Sequence, residues 1–82
     1  MTIAYRIQRV LTLDYGEPIG AHYRLVVFVD GERAGCQGHF TSAADARADC
    51  RRLLALATSD HTVTMGPRMP ERRFDMNPHG LI

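Results

Sequence analysis

The sequence predicts an α+β domain of two layers, in which an antiparallel sheet of three to four strands packs on one helix in the order β-β-β-α-β. Three observations lead to this fold class. Apolar and polar residues alternate with a period of two in the first third of the chain, an Asp-Gly pair separates two strand-like segments, and one later segment carries apolar residues at helical spacing.

The first strand is predicted over residues 3–13, where one parity is almost entirely apolar. Its members are Ile3, Tyr5, Ile7, Leu11 and Leu13. The opposite parity is mostly polar, which is typical of a strand with one buried face. Residues 14–20 contain Asp, Gly and Pro, and these turn residues predict a loop.

The second and third strands are predicted over residues 21–29 and 33–40, joined by a tight hairpin at Asp30-Gly31. This dipeptide favours a primed turn, because both central residues of such a turn need a positive φ. In the third strand we expect one set of residues to face inward, Ala34, Cys36, Gly38 and Phe40. The other set, Arg33, Gln37 and His39, is expected to face outward. Gly35 and Gly38 weaken this strand and predict a bulge.

The helix is predicted to begin after Ser42, with Asp45 completing a capping box. It should run roughly 15 residues, to Ala57 or Thr58. One narrow apolar stripe contains Ala43, Ala46, Cys50, Leu53, Leu54 and Ala57.

After the helix, residues 61–65 are β-prone and predict a short edge strand. Prolines follow from residue 67 onward and break every pattern. We therefore expect one α+β domain over residues 1–66 and an irregular or partly disordered C-terminal tail over residues 67–82.

Composition favours one small soluble domain. The chain has 82 residues, is 45% apolar and 23% charged, and carries a net charge of +1, too balanced for a generic polyanion binder. No apolar run approaches the roughly 18–20 residues of a membrane span, and the N-terminus lacks the order of a signal peptide. Two cysteines are too few for a secreted disulfide framework. We expect a cytoplasmic protein that does not associate with membranes.

No catalytic set is assembled in the sequence. Asp45 and Asp49 lie on the solvent side of the predicted helix, and the Ser42 hydroxyl is committed to capping. Ligand types suited to zinc occur at four positions, Cys36, His39, Cys50 and His61. A regular strand sends the first two to opposite faces, and the third lies on the apolar stripe. The sequence therefore predicts no metal, no cofactor and no enzymatic activity.

The remaining candidates for function are surfaces. The sheet face away from the helix and the outer face of the helix combine arginines with an aromatic residue, a composition enriched at interfaces. The candidate partner-binding residues are Arg6, Arg24, Phe28, Arg33, Gln37, His39, Arg47, Arg51 and Arg52. The alternative is an ordinary solvated face that carries a few apolar residues. The protein is expected to be a monomer, or a homodimer through the apolar residues of the sheet face.

Residues 23–54 resemble the AP2-type and phage-integrase arm-binding domains, whose three-stranded sheet lies in the major groove of DNA. The resemblance lies in the apolar strand that leads into Val29-Asp30-Gly31 and in Gly38-His39-Phe40-Thr41-Ser42 before the Ala-rich helix. It implies sequence-specific DNA binding, with Arg6, Arg24, Arg33 and His39 as contacts. The near-neutral charge opposes this alternative.

Over residues 3–65, the order of elements is similar to that of small anti-CRISPR proteins. The features concerned are the strand Tyr23–Val29, the Asp30-Gly31 hairpin, and Phe40 leading into an Ala-rich helix and a short strand. This similarity implies an inhibitor or adaptor that docks on a CRISPR–Cas effector complex and blocks recognition of target DNA or nuclease recruitment. We favour this hypothesis because it needs no catalytic chemistry and tolerates a neutral charge. Direct docking on a protein surface is the mechanism it predicts.

Overall fold

Two long antiparallel strands form the centre of the sheet in the computed structural model, which describes residues 1–58 and 60–78. β1 spans Thr2–Asp14 and β2 spans Glu17–Val29, and they pair from Ile3 opposite Val29 to Asp14 opposite Glu17. The turn consists only of Tyr15 and Gly16, whose φ angles are 50° and 79°. Because two successive positive φ values close a hairpin tightly, the loop predicted over residues 14–20 is wrong and most of it belongs to the strands.

The third strand follows the predicted Asp30-Gly31 hairpin. β3 spans Glu32–Phe40 and runs antiparallel to β2. Asp30 and Gly31 have φ angles of 50° and 86°, which confirms the primed turn. Asp30 also ties this turn to the start of β1, since the Thr2 N–H donates to Asp30 Oδ1 at 2.8 Å.

The helix begins where the capping residues predict. α1 spans Ala43–Leu54, and Ser42 Oγ accepts a hydrogen bond from the Asp45 N–H at 3.1 Å. With 12 residues it is shorter than predicted. The chain tightens after Leu54, where the N–H groups of Leu56 and Ala57 donate to carbonyls only three residues back.

The core lies between α1 and one face of β1 and β2. Its buried members are Ile7, Leu25, Ala46 and Cys50, and the partly buried Tyr5, Tyr23, Phe40, Leu53 and Leu54 pack against them. These residues come mainly from the predicted apolar parity of β1 and β2 and from the predicted helix stripe. The buried faces predicted for β1, β2 and α1 are therefore confirmed.

The sheet is mixed and has five strands, which corrects the predicted antiparallel sheet of three to four. β4 (Thr62–Met65) and β5 (Arg72–Asp75) both pair with β1 in parallel, giving the order β3-β2-β1-β4 with β5 on the same edge of β1. The physical reason is α1, which carries the chain back to the end of the sheet where β3 began. The next strand must then run in the direction of β3 and β1.

The segment predicted to be an irregular tail follows β1 closely up to residue 78. The Gly66, Met69 and Met76 N–H groups each donate at 2.9 Å to a carbonyl of β1. Because β4 covers only the first part of this 13-residue strand, β1 leaves unpaired groups farther along that the segment satisfies. The last part of the predicted tail, residues 79–82, lies outside the described residues.

The described part of the chain is elongated, with extents of 55 × 24 × 16 Å. A 12-residue helix is only about 18 Å long, so it covers one end of the sheet. The turn between β1 and β2 projects beyond it. Residues 1–58 and 60–78 include no helix with the length and apolar character needed to cross a membrane.

Candidate functional site

Arg24, a predicted partner contact, is engaged within the protein. It lies on the sheet face away from α1, hereafter the open face, where its Nε and Nη2 donate to Gln8 Oε1 at 3.0 and 2.8 Å. Gln8 is only 6% exposed. Arg24 Nη1 also lies 3.5 Å from Cys36 Sγ. One guanidinium on β2 thus contacts side chains of both neighbouring strands, β1 and β3.

Arg6 and Phe28, two further predicted contacts, cover one another on the same face. The Arg6 guanidinium lies over the Phe28 ring, 5.6 Å from its centroid. Arg6 Nε also donates to the Pro67 carbonyl at 2.7 Å. Its Nη2 donates to the Arg68 carbonyl at 3.4 Å, so two guanidinium nitrogens hold the strap, the segment 66–71 that joins β4 to β5.

The predicted bulge at Gly38 determines where the β3 candidates lie. Gly38 has a φ of 84°, and the pairing jumps from Leu25–Gln37 to Tyr23–Phe40. Phe40 faces the core as expected. The extra residue shifts the alternation, so Cys36 is opposite Val26 on the open face and Gln37 is opposite Leu25, the reverse of our expectation.

His39 and Arg33 are the open-face candidates that stay exposed at the edge of the sheet. His39 stacks on His22 with ring centroids 4.2 Å apart. Arg33 is registered opposite Phe28 and has no ion-pair partner among the described residues.

The three helix candidates form a separate surface, because α1 and the open face lie on opposite sides of the sheet. Arg47 and Arg51 are exposed, whereas Arg52 donates to Asp49 Oδ1 through Nε and Nη2, at 3.1 and 2.9 Å. The nine predicted contacts therefore do not come together in one site.

A cluster of exposed apolar side chains, which sequence reasoning missed, lies at the far end of the β1–β2 hairpin. We call residues 12–20 together with 74–78 the hairpin tip. Four of its large apolar side chains are 50% to 56% exposed: Tyr15, Ile19, Phe74 and Met76. The available signal was the presence of large apolar residues in a predicted loop and a predicted tail, where neither strand nor helix periodicity requires them.

Hydrogen bonds between β5 and the β1–β2 turn hold the hairpin tip together. The Gly16 N–H donates to Asp75 Oδ2 at 2.9 Å, and the Asn77 side-chain amide donates to Asp14 Oδ1. The Asn77 N–H donates to Asp75 Oδ1 at 2.9 Å. The exposed apolar side chains thus project from a backbone that these hydrogen bonds hold in place.

The charge of the hairpin tip is entirely negative. Its charged residues are Asp14, Glu17 and Asp75, with no Lys, Arg or His. None of the three forms an ion pair with another residue of the described ranges. The rest of the chain carries the compensating arginines, so the molecule has an acidic, apolar end.

Two open grooves border α1. The larger, of about 510 Å³, lies between the end of β3 and the helix and is lined by His39, Phe40, Thr41, Asp45, Ala48, Asp49 and Arg52. Its polar groups satisfy one another: Thr41 Oγ1 donates to Asp45 at 3.2 Å, and Arg52 donates to Asp49. No three His, Cys, Asp or Glu side chains within residues 1–58 and 60–78 are arranged to hold a metal ion.

The second groove lies between the end of α1 and β4. It is mainly apolar, about 280 Å³, and lined by Ile3, Tyr5, Leu53, Leu56, Ala57, Thr58, His61 and Val63. This is below the roughly 300–1,000 Å³ of most small-molecule sites.

No protein-family model, curated protein or solved structure matches this chain. The choice of function therefore depends on the chemistry of its surfaces.

Proposed function

We propose that this chain is a non-enzymatic protein-binding module, an inhibitor or adaptor that docks on a partner protein through its hairpin tip. The observation that carries the proposal is the group of half-exposed apolar side chains at this end. Large apolar side chains that stay exposed at one end of a protein are typical of interaction sites. Because hydrogen bonds already order the backbone beneath these side chains, docking sacrifices little conformational freedom.

The charge of the hairpin tip defines the chemistry of the partner. Asp14, Glu17 and Asp75 belong to the same segments as the exposed apolar side chains, and none of the three forms an ion pair with another described residue. A complementary protein surface would offer an apolar recess rimmed by Lys or Arg. Phe74 and Tyr15 are then the anchors, since aromatic residues are enriched at the cores of interfaces.

Two features favour a protein partner over the alternative of DNA binding by the open face. Arg6 and Arg24, the central arginines of that face, donate to groups of this chain. The hairpin tip is acidic and would be repelled by phosphates.

The similarity to anti-CRISPR proteins supplies one specific partner to test, a CRISPR–Cas effector complex in the bacterial cytoplasm. Such a complex contains the basic surfaces that bind nucleic acid. Docking there would block recognition of target DNA or recruitment of the nuclease.

A pull-down with matched variants tests the proposal. Tagged wild-type protein, Phe74→Ser and Leu56→Ser are incubated with lysate from bacteria that express CRISPR–Cas complexes, with and without nuclease. Leu56 is the control because it is 64% exposed, is apolar, and lies at the end of α1. We expect a stoichiometric protein that survives nuclease treatment and is captured by wild type and Leu56→Ser but not by Phe74→Ser.

Three results would contradict this assignment. Capture that is unaffected by Phe74→Ser but abolished by Arg47→Glu or Arg51→Glu would move the interface to α1. Recovery of nucleic acid that is lost at moderate salt would favour DNA binding. A homodimer in light scattering that Phe74→Ser converts to a monomer would identify a second copy as the occupant of the hairpin tip.

A further inference from the structure

His22 and His39 stack across an interruption in the pairing of β2 and β3. Their ring centroids are 4.2 Å apart and the rings are inclined by only 15°. The regular pairing jumps at this point because Gly38, with a φ of 84°, forms the bulge. A bulge leaves one residue outside the ladder of backbone hydrogen bonds. The two rings therefore connect β2 and β3 at the point where the backbone pairing of these strands is interrupted.

The surroundings of His22 disfavour a positive charge on its ring, through burial and through the neighbouring His39 and Arg24. On the sheet, Arg24 contacts Cys36, and Arg72 is in register with Val10, the uncharged β1 residue opposite His22. On α1, Asp45, Asp49 and Arg52 line the same groove as His39. Both α1 carboxylates already accept hydrogen bonds from other side chains.

We propose that the His22–His39 stack is a pH-sensitive clasp, which holds the bulged end of β3 on β2 at neutral pH and releases it in mild acid. Two uncharged imidazoles stack favourably, whereas protonating both places two positive charges in contact beside Arg24. The released end includes Phe40, which packs on the core. It also leads through Thr41 to the cap of α1, so opening would loosen the start of the helix.

The direction of the pH dependence follows from His22, the more buried of the two rings. Burial lowers the pKa of His22 below its ordinary 6.5, and the charges of His39 and Arg24 lower it further. The folded state therefore binds this proton less readily than the unfolded chain does. The stability that the clasp contributes is present above pH 6.5 and is lost as the pH falls through the lowered pKa of the folded state.

Hydrogen exchange of backbone amides, corrected for the intrinsic exchange rate, tests the clasp. Between about pH 7.5 and about pH 5, a range in which histidines change charge, protection of residues 37–40 is expected to fall several-fold. Amides in the centre of the β1–β2 pairing should change less. The double variant His22→Phe/His39→Phe keeps two stacked rings without titration and should retain its protection in acid.

A control and a second readout make the test independent of whether the double variant folds. His61→Gln is the control, because His61 bonds Thr58 in the loop before β4, and it should lose β3 protection in acid as wild type does. NMR titration of the His22 ring in His39→Gln should show a higher midpoint, since one charged neighbour is gone. An acid loss that persists in the double variant, or a His22 midpoint unchanged in His39→Gln, overturns the proposal.

Discussion

Arg24 and Gln8 satisfy one another across the two central strands of the sheet. The guanidinium donates twice to the Gln8 carbonyl oxygen, at 3.0 and 2.8 Å, and the Gln8 amide donates to the Pro70 carbonyl at 3.0 Å. Both polar atoms of a buried amide on the face without a helix thereby have hydrogen-bond partners. The same pair connects β2 through β1 to the strap, so the open face is stabilised by polar contacts rather than by a second layer.

Removal of the Arg24 guanidinium is expected to destabilise the fold. Arg24→Met leaves the buried Gln8 oxygen without its donors, which costs about 1–3 kcal/mol. Urea denaturation measures the loss. Arg33→Met is the matched control on the same face and should stay within about 0.5 kcal/mol of wild type. Equal stability of the two variants would show that Gln8 finds water instead.

The two cysteines are expected to differ sharply in reactivity. Cys36 is exposed, whereas Cys50 is buried in the core, and burial together with the nearby Asp49 raises the pKa of the Cys50 thiol. A thiol-reactive maleimide should label one cysteine per native chain and both in denaturant. Cys36→Ser should remove the native label, and Cys50→Ala should leave it. Rapid native labelling of Cys50 would mean that α1 opens readily from the sheet.

Glu71 is expected to make the attachment of β5 sensitive to acid. Hydrogen bonds from Arg9 and Arg73 lower the pKa of Glu71 below its ordinary 4.5. Stability from this group is therefore present above pH 4.5 and lost as the pH falls through the lowered value of the folded state. Glu71→Gln should melt below wild type at neutral pH, and the difference should vanish near about pH 2.

Two comparisons check this assignment. Glu32→Gln changes an exposed carboxylate in β3 that has no ion-pair partner among the described residues, and it should show no such convergence. High salt should also shrink the Glu71 effect, because the ion pair with Arg9 is solvent-exposed. A difference in melting that is constant at all pH values would assign the effect to packing rather than to charge.

The cap of α1 is expected to contribute measurably to stability. Ser42→Ala removes the acceptor of the Asp45 N–H and should cost about 0.5–2 kcal/mol in urea denaturation. Ser42→Asp retains an acceptor at the cap and should recover most of the loss. Failure of Ser42→Asp to recover stability would indicate that the Ser42 hydroxyl is needed for its size rather than for capping.

Features that depend on near neighbours in the chain could be predicted from the sequence. The apolar parity that places Ile7 and Leu25 in the core follows from the period of two. The Asp30-Gly31 hairpin, the Gly38 bulge and the Ser42 cap follow from the φ angles and local hydrogen bonds that those residue types allow. The α+β class required only these local signals.

The candidate sites depended on contacts between residues far apart in the sequence. No feature of the neighbouring sequence shows that Arg6 would donate a hydrogen bond to the Pro67 carbonyl, 61 residues away. The same is true of Asp75, which accepts a hydrogen bond from the Gly16 N–H, 59 residues away. The predicted surface therefore included arginines that are engaged internally, and the hairpin tip was missed.

The sequence by itself determined the central parts of β1, β2 and β3, the tight turn after β2, the start of the helix and the faces that β1, β2 and α1 bury, because period, turn chemistry and capping act within a few residues. Only the tertiary structure decided the parallel pairing of β4 and β5 and the assembly of the acidic, apolar hairpin tip. Both arise because the chain returns along the unpaired edge of β1, where backbone groups need partners and Pro67 and Pro70, which lack N–H groups, interrupt the regular ladder.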